Sequence, residues 1–492
     1  MTRERHQRHL PLLAAATAFA LAFAVRVPTL GRSALANDEF YTGNSLRLDW
    51  WAMVLERRAN IHFPGYFALL KGIGATDSEF LMRLPSALFD SGAAALAALV
   101  ALRLGGPLAA AFCAAIYAFQ PFMIFYGQEA RPYALLLLLL GIVLYCHVAL
   151  IDGRRHTAAS SIAAALSIWT IPSGIASVAA LHLALVIAAW KSLDTAARRS
   201  ALRQFAVSGV AAVLALAFLL GPILAKAQAP DGLLKWQART PAGSRIAEVF
   251  VQAYGFGSSG TWSEVLRPTG VPALLLLALA IGYAIVRRQD ARVRLLAIVA
   301  FGTPLLFLLI GIVSVTASRY LIGMMPPTII LAAGGLAAFV VAPGFVWARR
   351  IGAGLFLIAM AGVAALYLLL AQKYDMRVPA AFIANAELRD VEIDSAIYAL
   401  DVSLGHYLPR NSGIGFTFRP AGPDGVIQAA ASDAARDTIW LALPPGVRPA
   451  DALVAGRTVC SWSFGEIRLL VATRRPETLP PQLGACPQPK AP

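Results

Sequence analysis

Several stretches of the chain, 134–151 and 271–286 among them, carry no Asp, Glu, Lys or Arg. Each approaches the roughly 20 residues that take a helix across a bilayer. In lipid, every backbone N–H and C=O of such a run must be satisfied within the segment, which favours helices. The rest of the chain agrees. Of 492 residues, 58% are hydrophobic and only 14% charged, where a soluble protein shows roughly 25%, and mean hydropathy is +0.65. The expected fold class is mainly α: a polytopic membrane protein. A net charge of +15 in such a chain reflects basic cytoplasmic loops. No basic stripe interleaved with aromatics points to nucleic acid, so nucleic acid is set aside as a partner.

Hydropathy predicts about eleven transmembrane helices, near residues 10–30, 84–102, 107–126, 132–151, 157–172, 173–190, 204–225, 271–286, 295–315, 320–342 and 351–371. With the basic N-terminus inside, the inside loops hold Arg103, Arg154, Arg155, Lys191, Arg198, Arg199, Arg203, Arg287, Arg288, Arg292, Arg294, Arg349 and Arg350. They hold few acids: Asp152, Asp194 and Asp290. That satisfies the positive-inside rule at every turn. The stretch 157–190 stays open, because Pro172 and Gly174 could kink one long helix rather than separate two. A basic head, an apolar run from Pro11 to Val25 and the triplet Ala34-Leu35-Ala36 also resemble a signal peptide, although the triplet lies far beyond the run for the usual cleavage geometry.

This topology gives a transmembrane domain over 1–371 with external loops at 31–83 and 226–270. In the first loop, Trp50, Trp51 and Phe67 suit a helix lying at the interface. The second holds Lys226, Lys235, Trp236, Arg239 and Arg245, then a flexible stretch from Gly255 to Gly260. From about 372 to 492 the chain gains Asp, Glu, Arg and Pro, and 395–400 and 438–443 read as strands. A small external α/β domain with a poorly ordered Pro-rich end is expected. Cys113 and Cys146 fall in helices as small apolar residues. Cys460 and Cys486, alone in the tail, are a candidate disulfide in an oxidising compartment.

Position selects the residues that could carry chemistry. The acid pair Asp38-Glu39 lies just past the first helix. His62-Phe63-Pro64-Gly65-Tyr66 follows in the same loop, and Arg83-Leu84-Pro85-Ser86 opens the second helix. Tyr126-Gly127-Gln128-Glu129-Ala130-Arg131-Pro132-Tyr133 and Ser318-Arg319-Tyr320 form short outside turns. All map to one membrane face. Arg131 and Arg319 run against the positive-inside trend. A carboxylate can act as general base toward an acceptor hydroxyl, and arginines can hold a phosphate through charge-assisted bonds. The set suits transfer from a lipid-linked phosphate donor. A cytosolic nucleotide-sugar enzyme would want a Gly-rich phosphate loop inside, and none is present.

The Asp-Glu pair, His-x-Pro-x-Tyr, Arg-Leu-Pro-Ser and Gln-Glu-Ala-Arg-Pro-Tyr, in this order, resemble the GT-C glycosyltransferases, above all the bacterial protein-mannosyltransferase and aminoarabinose-transferase group. The resemblance spans about residues 10–345 and is strongest in the first 135. It implies a hexosyl or pentosyl transferase that uses a polyprenyl-phosphate sugar and works by inverting displacement. Asp38 would be the base and Glu39 its neighbour. Arg131, with Arg83 and Arg319, would contact the donor phosphate, and Gln128, Glu129, Tyr133, His62 and Tyr320 would complete the donor and substrate site. The acceptor would be a glycan, lipid or protein of the cell envelope. No Asp-x-Asp motif accompanies the pair, so no cofactor is expected to be required, although some GT-C branches use a divalent metal.

Simpler roles compete. Asp38 could cap a helix starting near Phe40, Arg83 could snorkel at a helix end, and Glu129 and Arg131 could form a local ion pair. His62 has no second His or Cys at ligand spacing. Asp90, two turns inside the second helix, is costly there and reads as a buried polar link between helices. The alternative class is a multi-helix transporter or flippase of a lipid-linked substrate. The expected location is the bacterial inner membrane, with the site and C-terminal domain facing the periplasm.

Overall fold

The computed structural model describes residues 2–35, 38–76, 78–228, 270–304, 318–370, 375–386, 391–396, 400–408, 413–418, 422–432, 436–444, 447, 456–464 and 467–483. The side chains of 2–8, 270, 318–319, 370, 401–402, 422 and 431–432 are likewise outside the description. Most of the expected 226–270 loop, the last residues of the Pro-rich end and Cys486 fall outside the described residues. The chain divides into two compact units. One is Met1–Leu30 with Leu48–Ala371; the other is Gly31–Arg47 with Gln372–Pro492.

The helices in chain order begin with α1 (Thr2–Arg26), α2 (Asp38–Arg47), α3 (Trp50–Ala59), α4 (Gly65–Gly72) and α5 (Glu79–Phe119). Then come α6 (Pro121–Gly127), α7 (Tyr133–Ile151), α8 (Thr157–Ile168), α9 (Ser173–Ala189) and α10 (Thr195–Gln228). After the undescribed segment follow α11 (Gly270–Val286), α12 (Ala291–Ala297), α13 (Met325–Val341) and α14 (Val346–Leu370). Among the described residues, seven helices are long and apolar enough to cross a membrane. Two more, Thr157–Ile168 and Pro272–Val286, are apolar but shorter. Every expected membrane helix has a helical counterpart, the ninth as far as residue 304.

The long α5 is in fact a helical hairpin. Were it straight, Asp90 and Tyr117 would stand about 40 Å apart at 1.5 Å per residue. Instead the Tyr117 hydroxyl donates to Asp90 Oδ1 at 2.9 Å. The reversal is at Gly106, whose φ of 74° lies in the region open to glycine but strained for other residues, and Pro107 suits the first turn of the returning arm. The two helices expected at 84–102 and 107–126 are therefore present. The ambiguity at 157–190 also resolves into two helices, α8 and α9. Their junction is tight, for a Cβ on Gly174 would lie 2.1 Å from the Ser167 carbonyl oxygen.

Charges from separate expected inside loops meet at one end of this unit. Arg103 Nη1 pairs with Asp152 at 3.0 Å, and Arg292 reaches Asp152 at 3.4 Å and the Arg103 carbonyl at 3.2 Å. Asp290 caps α12 by accepting from the Arg292 N–H at 2.9 Å and holds the Arg292 guanidinium at 2.8 Å. Burial alone would raise the Asp290 carboxyl, but the hydrogen bonds from Arg292 outweigh it and hold the group below its ordinary value.

The second unit is built on a five-stranded sheet in the order β2-β1-β3-β5-β4. Its strands are β1 (Glu392–Ser395), β2 (Gly415–Phe418), β3 (Thr438–Leu443), β4 (Thr458–Phe464) and β5 (Ile467–Thr473). β1 runs parallel to β2 and β3, and β5 is antiparallel to both β3 and β4. Helices α15 (Arg377–Asn385), α16 (Leu400–Tyr407) and α17 (Gly422–Ser432) complete it. Val426, Ile427 and Ala430 of α17 pack with Ile439, Leu441, Leu443 and Leu470 of the sheet. The strand at 438–443 lies where the sequence placed it, but the one expected at 395–400 does not. β1 ends at Ser395 and α16 begins at Leu400. The acids in Glu392-Ile393-Asp394 disguise a buried strand, whose Asp394 is tied to Arg436 at 3.2 Å. Cys460 is disulfide-bonded, while Cys113 and Cys146 are free and buried.

Candidate functional site

The end of the membrane unit opposite the Arg103–Asp152 network gathers three of the motif segments. Arg131, only 4% exposed, donates through Nη2 to His62 Nε2 at 3.0 Å. His62 Nδ1 lies 2.7 Å from the Asn60 carbonyl oxygen. A carbonyl only accepts and a guanidinium only donates, so these two bonds assign His62 as the neutral Nδ1–H tautomer. Behind them, Tyr66 Oη and Ser86 Oγ are 2.7 Å apart, and Ser86 Oγ also donates to the Arg131 carbonyl at 3.3 Å. Arg83 is buried and donates to the Leu30 carbonyl at 2.7 Å, which is not the posture of a snorkelling anchor. Histidine loop, second-helix opening and third-to-fourth-helix turn thus form one polar cluster.

That cluster stands on a buried ion pair. Arg26 of α1 and Asp90 of α5 are both fully buried and joined, Nε to Oδ2. Arg26 Nη1 further donates to the carbonyls of Ala22 and Ala118, at 3.0 and 3.4 Å. Asp90 is therefore the polar link between helices that its position suggested. Gly127 backs onto this pair so closely that a Cβ there would lie 2.7 Å from Arg26 Nε and 2.9 Å from Asp90 Oδ2. The next residue, Gln128, donates through Nε2 to the Arg26 carbonyl at 2.7 Å and to Thr29 Oγ1 at 2.5 Å. Both amide protons are thus occupied in shaping the turn, leaving Gln128 only an acceptor, which a phosphate cannot use. Glu129 is nearly buried, Tyr133 sits in the apolar core and stacks edge-on to Tyr126 at 5.1 Å, and Tyr320 is half-buried against that core. Arg319 lies in the turn Ser318–Met324, with its side chain outside the described residues.

The interfacial aromatics divide. Trp50 and Trp51 open α3 and are exposed, Trp51 by 69%. Phe67 is buried instead, with the Arg57 guanidinium over its ring at 4.9 Å. Among the described residues, no three His, Cys, Asp or Glu side chains group as a metal site.

The acid pair belongs to the second unit. Helix α2 starts at Asp38 itself, so Asp38 and Glu39 both occupy its first turn, where the helix dipole favours negative charge. Asp38 is half-buried and Glu39 is fully buried.

No family model matches the chain, and no curated protein sequence does. Solved structures do. The apo crystal structure of ArnT from Cupriavidus metallidurans superposes with a TM-score of 0.55 at 13% identity, over 97% of this chain and 99% of that one. The same enzyme bound to undecaprenyl phosphate gives 0.53 at 15% identity, with equal coverage. The apo oligosaccharyltransferase from Archaeoglobus fulgidus gives 0.53 at 12% identity, over 88% of this chain and 70% of that one. This is the GT-C membrane fold. At such identities the GT-C likeness is one of architecture, and it takes in the C-terminal sheet as well as the helices.

Sequence reasoning missed Arg26, the residue on which the Gly127–Gln128 turn rests. The signal was there: a cation near the end of the first apolar run, and Asp90 inside the second, both against hydropathy. Gly127 went unnoticed because a glycine's closeness to an ion pair is not written in its neighbours.

Proposed function

We propose that this protein is an integral-membrane glycosyltransferase that moves a hexose or pentose from a polyprenyl-phosphate donor to an acceptor hydroxyl of the cell envelope. The observation that carries the reading is the buried Arg131, held by His62 at one end of the helical unit, in a fold whose solved relative binds undecaprenyl phosphate. Arg131 offers the donor phosphate a guanidinium already oriented and partly desolvated, where charge-assisted bonds are strongest. Arg83 and Arg319 assist with charge. Asp38 takes the proton from the acceptor hydroxyl as its oxygen attacks the anomeric carbon. The carbon–oxygen bond to phosphate breaks, and polyprenyl phosphate leaves with the negative charge that Arg131 offsets. The anomeric centre inverts in this single displacement. The site faces the periplasmic side of the inner membrane, and Glu39 supports Asp38 from the same helical turn.

Purified protein in lipid nanodiscs, given radiolabelled undecaprenyl-phosphate sugars prepared from bacterial membranes and an envelope acceptor fraction, tests the assignment. Asp38→Asn should cut transfer by about 10²–10⁴-fold, the usual worth of a general base, while undecaprenyl phosphate still binds. Arg131→Ala should weaken that binding at least tenfold by the loss of a charge-assisted contact of about 1.5–3 kcal/mol. Transfer at wild-type rate in Asp38→Asn would sink the base assignment. Movement of intact donor across vesicles without sugar transfer would favour a transporter.

A further inference from the structure

We infer that His406 and Tyr407 of α16, far along the chain in the C-terminal unit, are positioning residues for the Asp38 carboxylate. The inference rests on Asp38 being the base. The segment 31–47 is assigned with 372–492 rather than with the helix it follows, and its bonds show why. The Leu35 N–H donates to Tyr407 Oη at 2.8 Å. Phe40 meets the Tyr407 ring edge-on at 6.0 Å and lies 6.1 Å from the His406 ring. His406 Nδ1 stands 3.1 Å from Asn44 Oδ1, which accepts, and Arg47 Nη1 donates to the His406 carbonyl at 3.0 Å. At Gly43 the packing is closer still, for a Cβ there would lie 2.7 Å from His406 Cε1.

The spacing gives these contacts their meaning. Residues 40, 43, 44 and 47 recur at i, i+3, i+4 and i+7, a single face of α2, and that whole face is laid against His406 and Tyr407. The turn that leads in is held as well, with Arg377 Nη2 donating to the Arg32 carbonyl at 3.1 Å. Asp38 lies between these fixed points, in the first turn of a helix whose rotation about its axis is set by α16. A carboxylate serves as base only when its oxygen meets the acceptor proton at hydrogen-bond distance, so rotation of α2 would move it out of reach without removing it.

The test compares turnover with donor binding in the full-length protein. His406→Ala and Gly43→Ala should each lower kcat by about 10- to 100-fold, the scale of a displacement near 1 Å. KM for the labelled undecaprenyl-phosphate sugar and Kd for undecaprenyl phosphate should stay within about twofold of wild type. Tyr407→Phe, the mildest change, removes the acceptor of the Leu35 N–H and should lower kcat severalfold. His406→Asn, which keeps a donor near the Nδ1 position, should recover most of the rate lost in His406→Ala. Wild-type turnover in both His406→Ala and Gly43→Ala, with Asp38→Asn inactive, overturns the positioning role and leaves the base assignment standing. Activity of Asp38→Asn overturns the base assignment and the positioning role with it. Equal losses of binding and turnover in Tyr407→Phe would show a general structural role instead.

Discussion

Two fully buried charges, Arg26 and Asp90, are joined inside a unit that sequence and fold both place in the bilayer. Burying such a pair costs desolvation that its attraction only partly offsets, but stripping one partner leaves the other uncompensated, at about 3–5 kcal/mol. Asp90→Asn or Arg26→Met should therefore lower the thermal midpoint of the detergent-solubilised protein sharply. The double change Arg26→Met with Asp90→Leu should recover most of the loss, and failure to recover would mean that the pair has a further role. Asp90 was readable from sequence as a polar link, since an acid two turns into an apolar helix needs a partner. Arg26 was overlooked as its partner, because a cation near the end of an apolar run reads equally well as a helix boundary.

Among the elements, the hairpin of α5 and the cap of α12 show how little sequence decides each turn. Hydropathy found both arms of α5, because each is an apolar run. The reversal rests on Gly106 and Pro107, which separate them. At the cap, the Asp290 carboxyl is held below its ordinary value of 3.8 by Arg292. A carboxyl with a depressed folded value adds stability above its unfolded value and loses that contribution as pH falls through the folded value. The contribution should therefore be level from about pH 7 to 5, begin to fall as pH nears the ordinary value, and vanish in acid below the folded value. Thermal midpoints measured against pH should show Asp290→Asn less stable than wild type at neutral pH and converging with it in acid. A constant gap would contradict the linkage. The strand misplaced at 395–400 teaches the opposite lesson, since Glu392 and Asp394 hid β1 from a rule that seeks alternating apolar residues. Asp394 is buried because Arg436 satisfies it.

Over the whole molecule, the membrane region and the tail domain were legible from composition, and three of the motif segments, those of His62, Ser86 and Arg131, did assemble within one unit. The assignment of Gly31–Arg47 to the C-terminal unit was not legible. It depends on pairings such as Leu35 with Tyr407 and Asn44 with His406, which no local pattern signals. Hydrogen exchange with increasing denaturant should show residues 38–47 opening together with α16 and β1, not with α1, as a contiguous cooperative unit would. Opening with α1 would contradict the division. The order of manufacture gives this division a further meaning. Leu35 leaves the ribosome 372 residues ahead of Tyr407, and Asn44 362 residues ahead of His406. A nascent chain therefore carries Asp38 and Glu39 through that interval without the helix that holds their segment. The segment 31–47 can make these bonds only after α16 has emerged and folded, so its final placement is a late event of synthesis.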